Sequence, residues 1–561
     1  MRLLPRSAAL ALLVCVFLGS LASASAYNAR PKLIVVIVID QFRGDYLERF
    51  RDQFGEAGFR LLLDHGATFT DCNYNYANTQ TAPGHATLFT GAYSDRHGIL
   101  ANEWWDTQRK RMVTSVEDDG TKILGIESNG PGASPHNLLA GTLGDELKLA
   151  TQGKARVFGI ALKDRAAVLP AGFAGDGAYW TDPKSGNWIS STYYRSELPK
   201  WVQDFNNGKP AEKYLNLEWK DSDGHVLRTT KPPEGKESSF GALVGSTPFA
   251  NDYEFEFARE LVSNERLGNG PATDLLVIGL SANDFLGHKV GPDSPEVRAM
   301  TVATDRQLAA FFDFLGHEVG LANIWIALSA DHGIAPLPSA ALALRIPAAT
   351  FPGEKLRAQV NQLISTKLQR TAEYVRVIDY PRAWLNEDAF AALKVKEEDA
   401  ERAVGEALKQ AGLRGYYTRS QLQEGKVPNT EVGLQYLHSY SPVAGWYVLG
   451  VPAPYSVGQA SGTDHVSPYT YDTHVPLALY GIPIQPGTYR THAEPVDLAV
   501  TLASLLGINA PSQAMGRVLV EALVSPRHAE NFSRPPGIKS PQPAKPTEGI
   551  KPVAMILGSS Q

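Results

Sequence analysis

KLIVVIVID, residues 32–40, holds seven consecutive aliphatic residues and then an aspartate. A strand with one wet face alternates apolar and polar positions. A β-branched run with no polar interruption predicts a strand covered on both faces, as in a parallel sheet sandwiched by helices. Two further runs have the same form: TDLLVIGLSAND, residues 273–284, and IWIALSADHG, residues 324–333. VPLALYG, residues 475–481, reads as another core strand. Helical patterns separate them. One covers Ser294–Leu315, and another begins near Pro495 and stops at Gly507. The alternation predicts an α/β fold with a doubly wound, mostly parallel sheet and helices on both faces.

The rest of the chain is organised around that core. Its 561 residues exceed a single simple core, so insertions or extra domains are expected. Residues near 170–250, rich in Trp, Tyr, Gly and Pro, read as an irregular cap. Residues near 340–440 carry amphipathic helical patterns and read as an α/β side subdomain. Residues 525–561, rich in Pro, Lys and Ser, read as a tail beyond a catalytic domain over 27–524. The first 26 residues have two arginines, an apolar run and Ala24-Ser25-Ala26 at the end, which predicts a cleaved secretory signal peptide. Cys15 lies in that segment, so Cys72 stands alone and reads as a small buried residue. Export without disulfides fits a periplasmic or secreted protein. A net charge of −6 implies no broad basic face for nucleic acid.

In open α/β sheets ligands gather beyond the carboxyl ends of the strands. The three long runs end at Asp40, Asp284 and Asp331. Each alone could be a turn residue or helix cap. Asp331-His332 and the four-residue spacing of Asp284 and His288 instead allow shared metals. GTDH, residues 462–465, adds His465. Carboxylate and imidazole without thiolate suit zinc. NTQTAPGHATLFTG, residues 78–91, places Thr81 before a helical pattern. Its hydroxyl reads either as a helix cap or as a nucleophile beside a helix N-terminus.

The ordered set of strand-Asp40, TAPGH, DFLGH, ADHG and GTDH…YDTHVP resembles the alkaline phosphatase superfamily, and within it the phosphate-irrepressible periplasmic alkaline phosphatases. The resemblance runs to about residue 524. It implies Thr81 as the nucleophile of a zinc-dependent phosphomonoesterase. Asp284, His288 and His465 match the ligands of one zinc. Asp40, Asp331 and His332, with the Thr81 oxygen, match those of the other. Asn102, Lys163 and Arg165 match the groups that bind the phosphoryl oxygens. Lys163 and Arg165 stand where another branch uses magnesium-linked groups, so two Zn2+ and no magnesium are expected. Two departures stand out: Val466 replaces the glycine of many relatives, and His474 rivals His465 as the last ligand. His85 and His97 read as structural.

The chemistry agrees with that assignment. A threonine hydroxyl needs a base or metal to attack, and paired metals can clamp an in-line displacement. The result would be a phosphothreonine that water then hydrolyses. Small phosphate monoesters are the expected substrates, with a monomer, no specific nucleic acid and no stable membrane association. A phosphodiesterase or nucleotide pyrophosphatase of the same superfamily would share the six ligands and Thr81, but a diester carries one charge fewer to meet Lys163 and Arg165. A zinc-stabilised binding protein explains the ligands and leaves Thr81 unexplained. A sulfatase needs a C/S-x-P-x-R motif that TAPGH lacks. A metal-dependent phosphoglycerate mutase fits poorly with export.

Overall fold

The structure, a computed structural model, describes residues 31–234 and 238–524. The expected signal peptide and tail lie outside them. Ten strands form the main sheet: β1 (Leu33–Ile39), β2 (Ala67–Phe69), β3 (Ile123–Leu124), β4 (Val157–Ala161), β5 (Gly177–Thr181), β6 (Trp188–Ser191), β7 (Asp274–Leu280), β8 (Ile324–Ser329), β9 (Leu477–Tyr480) and β10 (Gly487–Tyr489). Their spatial order is β10-β2-β9-β8-β1-β7-β4-β5-β6-β3. The run from β8 to β5 is parallel throughout. Every residue of β1, β7 and β8 is buried, which accounts for their unbroken apolar sequences. VPLALYG does form a core strand, but β9 runs antiparallel to both β8 and β2.

Six helices matter for the site: α1 (Thr81–Thr90), α2 (Asp164–Ala171), α3 (Pro248–Asn264), α4 (Ala282–Val290), α5 (Pro295–Glu318) and α6 (Asp497–Leu506). Ser294 caps α5 by accepting from the Val297 N–H, and α6 stops at Gly507, whose φ of 64° suits a residue without Cβ.

Two expectations about the insertions change in detail. The region expected as an irregular cap, 170–250, supplies β5 and β6 to the main sheet. Its aromatic residues serve packing: Trp188 stacks on Phe257 of α3 with ring centroids 3.9 Å apart. The side subdomain is a four-stranded antiparallel sheet of Val375–Asp379, Arg382–Leu385, Gly415–Thr418 and Tyr447–Val451. It therefore extends past residue 440. Helices Gly353–Leu368 and Glu397–Gln410 close its own apolar core around Val360, Val404 and Leu408. Cys72 is buried and free.

Candidate active site

Parallel register assembles the site. Ile39 pairs with Leu280, Val38 with Ser329 and Gly279 with Ala161, so β1, β7, β8 and β4 all end at one edge. The residues just beyond those ends are Asp40, Asp284, Asp331-His332 and Lys163. They are far apart in sequence and adjacent in space because the four strands are neighbours in the sheet.

At this edge stand three of the four groups of described residues whose donor atoms lie within 4.8 Å of one another: Asp40, Asp331 and His332; Asp284, His332 and His465; and His288, Asp464 and His465. Asp284 Oδ1 is 3.1 Å from His288 Nε2 and 3.8 Å from His465 Nε2. In all three histidines Nδ1 is committed to a backbone carbonyl: Thr463 for His288, Gly333 for His332 and Thr79 for His465. That leaves Nε2 of each ring facing inward, where in the neutral form its lone pair is available, the usual outer-shell arrangement of a metal-binding imidazole. Asp40 Oδ1, Asp331 Oδ2 and His332 Nε2 are buried without a hydrogen-bond partner. Lone pairs facing one another in a buried cluster require a cation, so the oxygen and nitrogen donors present fit divalent metal.

The electrostatics carry the same message. Burial opposes charge on His288 and His332, yet Asp284 beside the first and Asp331 and Asp40 beside the second hold both pKa values up to about 9. Burial pushes Asp331 upward, but His332, His85 and Lys163 draw it down to about 2. Burial and the neighbouring His332 and His288 push His465 well below the ordinary imidazole value.

Thr81 is the first residue of α1. Gln80 occupies the cap position, and no side chain caps the helix there. The Thr81 hydroxyl instead accepts from Lys163 Nζ at 3.3 Å. Lys163 also donates to Asp40 Oδ2 and Asp284 Oδ2, each at 2.6 Å, and so stands between the two carboxylates. Asn102 Oδ1 accepts from the Ala82 N–H at 2.9 Å, which leaves its amide N–H groups for a ligand. Arg165 lies in the first turn of α2. Its guanidinium is 3.5 Å from Asp164, and among the described residues no hydrogen bond ties it to Thr81 or the histidines. His474 Nε2 donates to the Thr70 carbonyl, 3.0 Å away, and joins none of the donor groups, so His465 is the histidine of the cluster.

Three contributors escaped the sequence reading. Asp464 belongs to a donor group; its place in GTDH beside His465 was the available signal. Gln41 donates from Nε2 to Asp284 and from its backbone N–H to Asp331, with φ at 62°. Nothing in the sequence around Gln41 announces that bridge. His85, read as structural, has Nδ1 at 2.9 Å from the Thr81 carbonyl and 3.4 Å from Asp331 Oδ2.

The family described as type I phosphodiesterase / nucleotide pyrophosphatase matches residues 34–440. The chain belongs to this family, in the alkaline phosphatase superfamily. It is 32% identical to the alkaline phosphatase PafA of Elizabethkingia meningoseptica, across 88% of this chain and 95% of that protein. It is also 32% identical to a protein of Myroides odoratus named as a calcium-transporting ATPase, across 91% and 98% of the two chains. The crystal structure of wild-type PafA superposes with a TM-score of 0.80 at 30% identity, covering 88% of this chain and 99% of that one. A PafA variant altered at a threonine, an asparagine, a lysine and an arginine gives a TM-score of 0.78. The α/β architecture described above is therefore that of PafA. No helix among the described residues is long and apolar enough to cross a membrane.

Proposed function

We propose that this chain is an alkaline phosphatase that hydrolyses phosphate monoesters, with Thr81 as nucleophile. The observation that carries the reading is the meeting of the Thr81 hydroxyl, the Lys163 ammonium and the buried carboxylate–imidazole groups at one sheet edge. Asp284, His288 and His465 would hold one Zn2+, and Asp40, Asp331, His332 and the Thr81 oxygen the other. Bound there, the ions would supply positive charge to the attacking and leaving oxygens.

The protein's own groups then have distinct tasks. Thr81 Oγ1 forms a bond to phosphorus as the ester P–O bond breaks, giving a phosphothreonine and an alcohol. Water cleaves that phosphothreonine, releasing inorganic phosphate and restoring the hydroxyl. Lys163 meets the non-bridging oxygens as a point charge, while Arg165 can fork across two of them. Asn102 donates from its free amide. The variant of PafA changed at one residue of each of these four types agrees with the choice. The same reading makes residues 1–26 an export signal, the protein periplasmic or secreted, and the active form a monomer.

The family description favours a second reading, a phosphodiesterase. The ratio of kcat/KM for an aryl phosphate to that for its methyl diester separates the two. The monoesterase reading expects a wild-type ratio well above one. Lys163→Ala and Arg165→Ala should each lower monoester kcat/KM roughly ten- to a hundredfold, the loss of one charged hydrogen bond, with smaller losses on the diester. A wild-type preference for the diester, or equal losses on both, would favour the phosphodiesterase.

A further inference from the structure

A cavity of about 670 Å³ opens beside the donor groups. Its wall includes Phe285 and His288 of α4 and Leu162, the neighbour of Lys163, so it shares a boundary with the site. In an in-line displacement the nucleophile and the leaving oxygen lie on opposite sides of phosphorus. Thr81 sits on the α1 side, where His85 of the same helix reaches Asp331. The cavity lies on the His288 side. Lys163 Nζ, which donates to Thr81 Oγ1 at 3.3 Å, lies 4.9 Å from the centre of the Phe285 ring in the cavity wall, so a body attached to a phosphoryl group at Thr81 has the cavity within reach.

The wall defines what fits. Leu162, Pro183, Phe240 and Phe285 offer an apolar surface for a flat body. Lys289, exposed at the wall, is anchored by donating to the Ser246 hydroxyl at 3.0 Å. No carboxylate among the described residues forms an ion pair with it, and the nearby Arg228 adds a second positive charge that likewise has no ion-pair partner there. The ammonium is thus held in place and available to an anion.

We infer that this cavity is a leaving-group pocket selecting phosphate monoesters whose leaving group joins an aromatic body to an anionic substituent. The inference rests on the phosphatase reading of the site. It is tested by measuring kcat/KM for methyl phosphate, phenyl phosphate and 4-carboxyphenyl phosphate on wild type, Ala242→Trp and Lys289→Met, with folding checked by circular dichroism. Ala242 is an exposed wall residue, so a tryptophan there fills the cavity without disturbing the core. Ala242→Trp should lower the phenyl-to-methyl ratio at least about tenfold relative to wild type, the scale of burying an aromatic body. Lys289→Met should lower the carboxyphenyl-to-phenyl ratio by about tenfold, the scale of one charge-assisted hydrogen bond. Comparing ratios between proteins cancels the intrinsic reactivity of each ester. Either ratio staying near its wild-type value overturns the inference. If the wild type hydrolysed none of the three esters, the phosphatase reading itself would fail.

Discussion

Among the described residues, the hydroxyl of Thr81 has Lys163 as its hydrogen-bond partner and takes no part in capping the helix it begins. A capping threonine would accept from a backbone N–H two or three residues on. This one faces the carboxylate–imidazole cluster. Thr81→Ala should therefore abolish monoester turnover while about two zinc ions per chain remain by elemental analysis, because the six carboxylate and imidazole ligands stay in place. Thr81→Ser should keep much of the activity, since the alkoxide survives. Wild-type turnover by Thr81→Ala would reduce the hydroxyl to a packing group.

At the scale of elements, two close approaches hold the nucleophile's helix and the ligand loop. Gly84 of α1 lies against the backbone of Asp331, and a Cβ there would clash with the Asp331 carbonyl. Overpacking of this kind costs about 1–3 kcal/mol and moves the backbone. Gly84→Ala should lower kcat/KM by far more than it lowers the urea midpoint, because the helix shifts against a ligand. The loop carrying His465 is tied to the segment before Thr81: the N–H groups of Val466 and Ser467 both donate to Thr79 Oγ1 at 3.0 Å. Val466 holds φ at 83°, a conformation that favours glycine, while its side chain is buried. Strain of about 1–3 kcal/mol offsets the benefit of burying a valine, about 1.5–3 kcal/mol. Val466→Gly relieves the strain as it loses the side chain, whereas Val466→Ala loses burial and keeps the strain. Urea unfolding should rank Val466→Ala as the less stable of the two; the reverse order would show that the strain is negligible.

For the whole molecule, the buried cluster couples metal, protons and stability. With zinc removed, His288 and His332 have folded pKa values of about 9 against an ordinary 6.5. Groups whose pKa rises on folding contribute stability that is fully present below the unfolded value and is lost as pH rises through the folded one. The melting temperature of the chelated protein should therefore fall as pH rises from about 6.5 through about 9. The zinc-loaded protein should lack that slope, because the metal requires neutral imidazole at every pH. Zinc added near pH 7.5 in weak buffer should also release protons. Absence of both the slope and the release would mean that the two imidazoles are already neutral without metal.

The sequence by itself determined the buried strands, the aspartates at their ends and a helix close behind Thr81; that Thr81 is the first helical residue, with Gln80 at the cap position, came from the structure. The strands, the aspartates and the helix follow from local rules: unbroken β-branched runs, apolar periodicity, and polar residues placed where a strand must stop. The ordered motifs likewise made His465 the stronger candidate over His474. Tertiary structure alone decided that β9 is antiparallel, that residues 177–191 belong to the main sheet, and that Gln41 bridges Asp284 and Asp331. It also decided the place of Lys163 between Asp40 and Asp284. Strand direction and side-chain bridges depend on partners far away in the chain, such as the 243 residues that separate Gln41 from Asp284. Local propensity carries no record of which distant backbone will lie alongside, and packing is what chooses it.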